Sequence, residues 1–117
     1  MLGHAQLALL PQGAVVVNTA RGPIIELDAL FGLLRDGHIA AAGLDVLPAE
    51  PPVEPIPELL RAYRACEPWL DGRLVVTPHA AWFTPESERD TRIKSAETMR
   101  AALLTNRPQN VITPEMF

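Results

Sequence analysis

Ala14-Val15-Val16-Val17-Asn18-Thr19-Ala20-Arg21-Gly22 is the stretch on which the fold turns. Its apolar run is short, rich in β-branched residues and bounded by Gly13 on one side and Arg21-Gly22-Pro23 on the other. Such a run predicts a strand buried on both faces, as in parallel sheets. Downstream, Leu27, Leu30, Phe31 and Leu34 recur at helical spacing. Glu26 and Asp28 stand near the start of that helix, where negative charge is favoured, and Gly37 follows as a stop.

The same alternation continues along the chain. Ile39 to Val46 is a second apolar run without helical polarity, hence a second strand. Pro48 to Pro57 holds prolines at 48, 51, 52, 55 and 57 and must run as an extended loop. A short helix is expected from Glu58 to about Ala65, then a third strand at Leu74-Val75-Val76, cut off by Thr77-Pro78. A long helix is predicted over Pro85 to Thr105, capped by Thr84, with Ile93, Ala96, Met99 or Arg100, and Leu103 along one side. Upstream, Ala5 to Leu10 reads as the end of a helix, and Arg107 to Phe117 as an extended tail. Strands alternating with helices predict an α/β fold with a parallel sheet.

Composition narrows the function classes. The chain has 117 residues, 48% apolar and 21% charged, with a net charge of −4. That is enough for one domain with a core, and too apolar for intrinsic disorder. A mildly acidic chain with few aromatic residues argues against nucleic-acid partners. No apolar run approaches the roughly 20 residues that span a bilayer, so a cytoplasmic protein without membrane association is expected. Cys66, the single cysteine, permits no intrachain disulfide and no cysteine-based zinc site, and it has no partner base nearby in sequence. No metal-ligand spacing is present, and His4 and His38 read as surface histidines beside helix ends.

In parallel α/β sheets, function gathers at the carboxyl ends of the strands. That rule selects Asn18 to Arg21, Asp45 to Glu50, and Thr77 to Trp82, where the chemically capable side chains fall. His79 follows the third strand and can exchange a proton near neutral pH. Glu50, in the proline-rich loop, can hold one imidazole nitrogen and set its tautomer. Arg21 can grip a carboxylate with two hydrogen bonds and polarise an adjacent carbonyl. Each has a plain alternative: a structural histidine, a solvated loop acid, a surface ion pair with Glu26 or Asp28. Together they suit proton-coupled reduction of a 2-oxo acid. Asp45 either accepts a hydrogen bond from a nicotinamide carboxamide or caps a turn. Trp82 either walls a pocket or packs beneath the last helix.

Val17-Asn18-Thr19-Ala20-Arg21-Gly22, Gly43-Leu44-Asp45-Val46 with Glu50-Pro51, and Thr77-Pro78-His79 resemble, in order and spacing, the signature of D-isomer-specific 2-hydroxyacid dehydrogenases. Pro78-His79-Ala80-Ala81-Trp82 and Pro114-Glu115-Met116-Phe117 are similar to the C-terminal-binding-protein branch of that family. The resemblance implies that Arg21 binds the substrate carboxylate and carbonyl. It makes His79 the general acid in reduction, with Glu50 as its partner. It also implies that Thr19, Ala20, Arg21, Asp45, His79 and Trp82 lie against the nicotinamide end of NAD, with NADP left open. The substrate would be a small 2-oxo or 2-hydroxy acid.

The glycines at 3, 13, 22, 32, 37, 43 and 72 never form Gly-x-Gly-x-x-Gly. The resemblance therefore implies the C-terminal portion of such an enzyme. Residues 1–84 would supply three strands of a Rossmann-type nucleotide domain, and 85–117 the returning helix and tail. Strand 14–18 would then have an unpaired edge, and association is expected, as a homo-oligomer or with an N-terminal half. The alternative is a non-catalytic interaction or vestigial module.

Overall fold

Three parallel strands lie in the sheet in chain order: β1 (Ala14–Asn18), β2 (Ile39–Leu44) and β3 (Leu74–Val76). The computed structural model that shows them describes residues 1–109 and 111–116. Two compact units divide the chain, Met1–Ala81 and Trp82–Phe117.

In the first unit, α1 (His4–Leu7) is shorter than its sequence suggested, because the chain turns at Ala8 before Pro11. Helix α2 (Leu27–Arg35) starts and stops where Asp28 and Gly37 place it, Gly37 having a left-handed φ of 77°. Helix α3 spans Glu58–Arg64. One apolar cluster joins these elements: Leu7, Leu30, Leu34, Ile39, Leu44 and Leu59 are each almost wholly shut off from water. Burial of that aliphatic surface is the main force holding the sheet to its helices.

The expectation that β1 is buried on both faces is corrected. Val16 and Asn18 are buried, but Val15 and Val17 are 64% and 67% exposed. Register aligns Val15 with Ala41, and Val17 with Gly43 and Val75, so these residues share one face of the sheet. Val75 is exposed as well. Successive side chains on a strand point to opposite faces, and the helices of this unit pack their core on the Val16 side. The opposite face is left with three exposed valines, Val15, Val17 and Val75.

Arg73, just before β3, fastens the sheet to its surroundings. Its guanidinium donates to the carbonyls of Ala40 (2.7 Å), Trp69 (3.0 Å), Leu34 (2.7 Å) and Ile39 (2.9 Å). Leu34 sits in the last turn of α2, whose carbonyls lack intrahelical partners. His38, expected on the surface, is half-buried, and its Nε2 has no hydrogen-bond partner among the described residues.

In the second unit, α4 (Pro85–Thr105) runs between the predicted limits. Thr84 Oγ1 accepts from the Ser87 amide at 3.0 Å, and Ser87 Oγ accepts from the Thr84 amide at 2.9 Å. That reciprocal pair satisfies two backbone donors at the helix start. Ile93, Met99 and Leu103 are exposed, and no residue of α4 is buried. The tail expected to be extended makes a 3-10 turn at Pro114–Met116, while Asn110 and Phe117 lie outside the described residues. No helix among the described residues is long and apolar enough to cross a membrane.

Candidate active site

The carboxyl ends of β1, β2 and β3 carry three loops, in which Asn18, Asp45 and Thr77 make the polar anchors. Buried Asn18 uses both ends of its amide: Oδ1 accepts from the Ala20 amide (3.1 Å), and Nδ2 donates to the Arg21 carbonyl (2.9 Å). These bonds curl Thr19-Ala20-Arg21 into a tight turn. The turn then passes so close to the β2 loop that a Cβ on Gly22 would lie 2.0 Å from the Leu47 carbonyl carbon. Only hydrogen fits there.

Asp45 ties the strand ends together. Its amide donates to the Asn18 carbonyl (3.0 Å), and its own carbonyl accepts from the His79 amide (2.8 Å). Its carboxylate accepts from Thr77 Oγ1 (2.5 Å), the Ala80 amide (2.8 Å) and the Ala81 amide (2.9 Å). Asp45 is buried, and a buried carboxylate needs such a set of donors. The Thr77 hydroxyl, then the Ala81 and Ala80 amides and the His79 charge, hold its carboxyl below the usual range against the opposing effect of burial.

Between those anchors lies His79. Pro78 suits the inverse γ-turn closed by the His79 amide on the Thr77 carbonyl, 3.0 Å. His79 itself has a φ of 54°. A side chain in that left-handed region costs roughly 1–2 kcal/mol, so the surroundings must impose it. With this backbone, His79 Nδ1 stands 2.7 Å from Glu50 Oε2, while Glu50 Oε1 accepts from the Leu47 amide at 2.6 Å. The Leu47 amide first, and His79 second, hold the Glu50 carboxyl below its usual range. Both side chains remain partly open, 42% and 36% exposed. Beside the pair is a cavity of about 300 Å³, lined by Leu47, Pro51, Thr77 and Pro78 as well as by the pair itself.

Thus the structure brings together Asp45, Glu50 and His79 from loops that follow different strands. Arg21 lies in the adjoining β1 loop, exposed, with Nη1 on the Ala20 carbonyl at 2.6 Å. Thr19 and Ala20 are exposed on the same turn. Trp82 opens the second unit, where its ring meets Phe83 edge-on at 5.5 Å. Reading the sequence missed Asn18, Gly22 and Thr77 as builders of these loops. Only Pro78, with its fixed φ, signals locally that the chain turns before His79.

Comparison with known proteins agrees with this architecture. Residues 1–81 match the family described as D-isomer specific 2-hydroxyacid dehydrogenase, NAD binding domain. The chain is 34% identical over 112 residues to a glycerate dehydrogenase of Methylorubrum extorquens, covering 96% of this chain and 33% of that protein. Among solved structures, a glyoxylate reductase from Paecilomyes thermophila superposes with a TM-score of 0.77 at 32% identity, over 100% of this chain and 32% of that one. A D-isomer specific 2-hydroxyacid dehydrogenase from Xanthobacter autotrophicus, in complex with NADPH and MES, gives 0.71 at 33% identity, over 97% of this chain and 42% of that one. The chain spans about a third of the length of the curated relatives it matches. With its parallel strands, crossover helices and loop-borne polar residues, this chain belongs to the D-isomer specific 2-hydroxyacid dehydrogenase family, its residues 1–81 matching the NAD binding domain.

Proposed function

We propose that the chain carries the reacting face of a nicotinamide-dependent oxidoreductase that interconverts small 2-oxo acids and D-2-hydroxy acids. The observation supporting this most directly is the 2.7 Å contact of His79 Nδ1 with Glu50 at the carboxyl ends of parallel strands.

The residues present fit one end of the cofactor. Thr19, Ala20 and Arg21 form an exposed turn that follows Asn18, whose carbonyl accepts from the Asp45 amide, and a flat ring with a carboxamide would rest on the backbone groups of that turn. Among the described residues the phosphates find no such cradle. Helix α2 opens on Glu26 and Asp28, α3 opens on Glu58, and no glycine-rich turn precedes either. NAD or NADP binding by this chain alone is therefore expected to be weaker than about millimolar.

When bound, a reduced nicotinamide supplies a hydride to the substrate's carbonyl carbon. Arg21 forks onto the substrate carboxylate and fixes the carbonyl beside the imidazole. His79 delivers a proton to the carbonyl oxygen through Nε2, the nitrogen opposite Glu50, and withdraws it in the reverse direction. Glu50 stays ionised because the Leu47 amide and His79 favour its charged form. Its carboxylate holds the Nδ1 proton and steadies the positive ring.

A second reading, an interaction or vestigial module without turnover, is favoured by the exposed valine face of the sheet. On either reading we propose association through β1 and that face, with another copy or with an N-terminal half. One experiment separates the two readings. The chain is mixed with the N-terminal two-thirds of a glyoxylate reductase, with light scattering to follow assembly and NADH absorbance to follow glyoxylate reduction. Turnover in the complex, lost with His79→Ala, is the expected result. A stable complex without turnover would establish the second reading instead.

A further inference from the structure

We infer that Asp45 and Thr77 form a clasp that positions His79, so that the direction of its ring depends on residues other than its ring partner Glu50. The inference rests on the dehydrogenase reading above, but its evidence is geometric.

The clasp holds the chain on both sides of His79. Before it, Thr77 Oγ1 donates to Asp45 Oδ1 at 2.5 Å; after it, the Ala80 and Ala81 amides donate to Oδ1 and Oδ2 at 2.8 and 2.9 Å. At its centre the His79 amide donates to the Asp45 carbonyl at 2.8 Å. A left-handed residue next to successive amides is one way of turning them toward a single anion. His79, with its φ of 54°, is that residue. The same φ sets the direction of the Cα–Cβ bond, and so places Nδ1 2.7 Å from Glu50. Asp45 is itself anchored to β1 through the Asn18 carbonyl. The ring is thereby referred to the sheet as well as to its own loop. Without the carboxylate, the Ala80 and Ala81 amides lose the acceptor that holds the chain just after the left-handed residue. The loop relaxes to a negative φ, and the ring swings off Glu50.

The tautomer of His79 reports this directly. The comparison is made on the neutral ring, at the alkaline end of the NMR series. A ring held against Glu50 then carries its proton on Nδ1, whereas an unconstrained histidine side chain favours Nε2. Long-range proton–nitrogen NMR on the purified chain distinguishes the two forms. The Nδ1–H signature is expected in the native protein, lost in Asp45→Asn and Thr77→Val, and retained in Thr77→Ser, which restores only the hydroxyl. Should Asp45→Asn fail to fold, the Thr77→Val and Thr77→Ser pair decides the matter. Persistence of the signature in Thr77→Val would overturn the clasp while leaving the Glu50–His79 pair intact. Its absence from the native protein would overturn the pairing on which the proposed function stands, and the clasp with it.

Discussion

Replacing Gly22 with alanine tests how closely the site loops are docked. The added Cβ would lie 2.0 Å from the Leu47 carbonyl carbon, 2.1 Å from its oxygen and 2.4 Å from Pro48 N, where ordinary contact begins at 3.4 Å. The nearest pair must therefore separate by 1.4 Å, and both partners are backbone, with no flexible side chain to yield. Overpacking of buried sites costs about 1–3 kcal/mol, and a backbone-on-backbone clash belongs at the upper end, about 3 kcal/mol. With a urea m-value of about 1–3 kcal/mol/M, the midpoint falls by about 1–3 M. For a unit the size of Met1–Ala81, the melting temperature falls by about 12–24 °C. Because the Leu47 amide holds Glu50, the shift also disturbs the 2.7 Å contact with His79. Gly43→Ala is the matched control: its Cβ would meet Val17 at 3.7 and 3.8 Å, an ordinary distance. That substitution should be neutral or stabilise by about 0.5–1 kcal/mol, since glycine is a poor strand residue. The reasoning is refuted if Gly22→Ala unfolds at the native urea concentration, or if Gly43→Ala falls as far.

Two further outcomes follow from the hydrogen bonds. Arg73→Met keeps the stem but removes the donors to four carbonyls and should cost about 3 kcal/mol, with Arg73→Lys recovering only part because an ammonium cannot fork; urea unfolding of the three proteins checks this. The Asp45 and Glu50 carboxyls titrate below their ordinary 3.8 and 4.5 in the folded chain, so the unfolded chain takes up protons first. Their stabilisation is present above those ordinary values and is lost as pH falls through the lowered ones, giving an acid limb in the urea midpoint that Asp45→Asn flattens; an unchanged limb would count against the clasp.

Much of this could be read along the chain because the signals were local. Strands β1 and β3 followed from short valine-rich runs, β2 from an apolar run without helical polarity that overran the strand by two residues, α2 from its leucine spacing and Gly37, and α4 from Thr84 and Pro85. That Arg21, Glu50 and His79 follow strand ends came from the same reading. The exposure of Val15 and Val17 did not, since a valine run looks alike whether or not something lies on its outer face. Nor did the roles of Thr77, Gly22 and Arg73. Thr77 meets Asp45 across 32 positions, and Arg73 reaches Leu34 across 39.

The order of letters was enough to define most elements, the cap of α4 and the family, because hydrophobic period and turn chemistry act between residues a few positions apart. Tertiary structure alone chose the left-handed backbone at His79, the donors around Asp45 and the contact that forbids a side chain at Gly22. Those depend on which segments meet after the sheet has closed, and strand pairing, which no local pattern encodes, decides that.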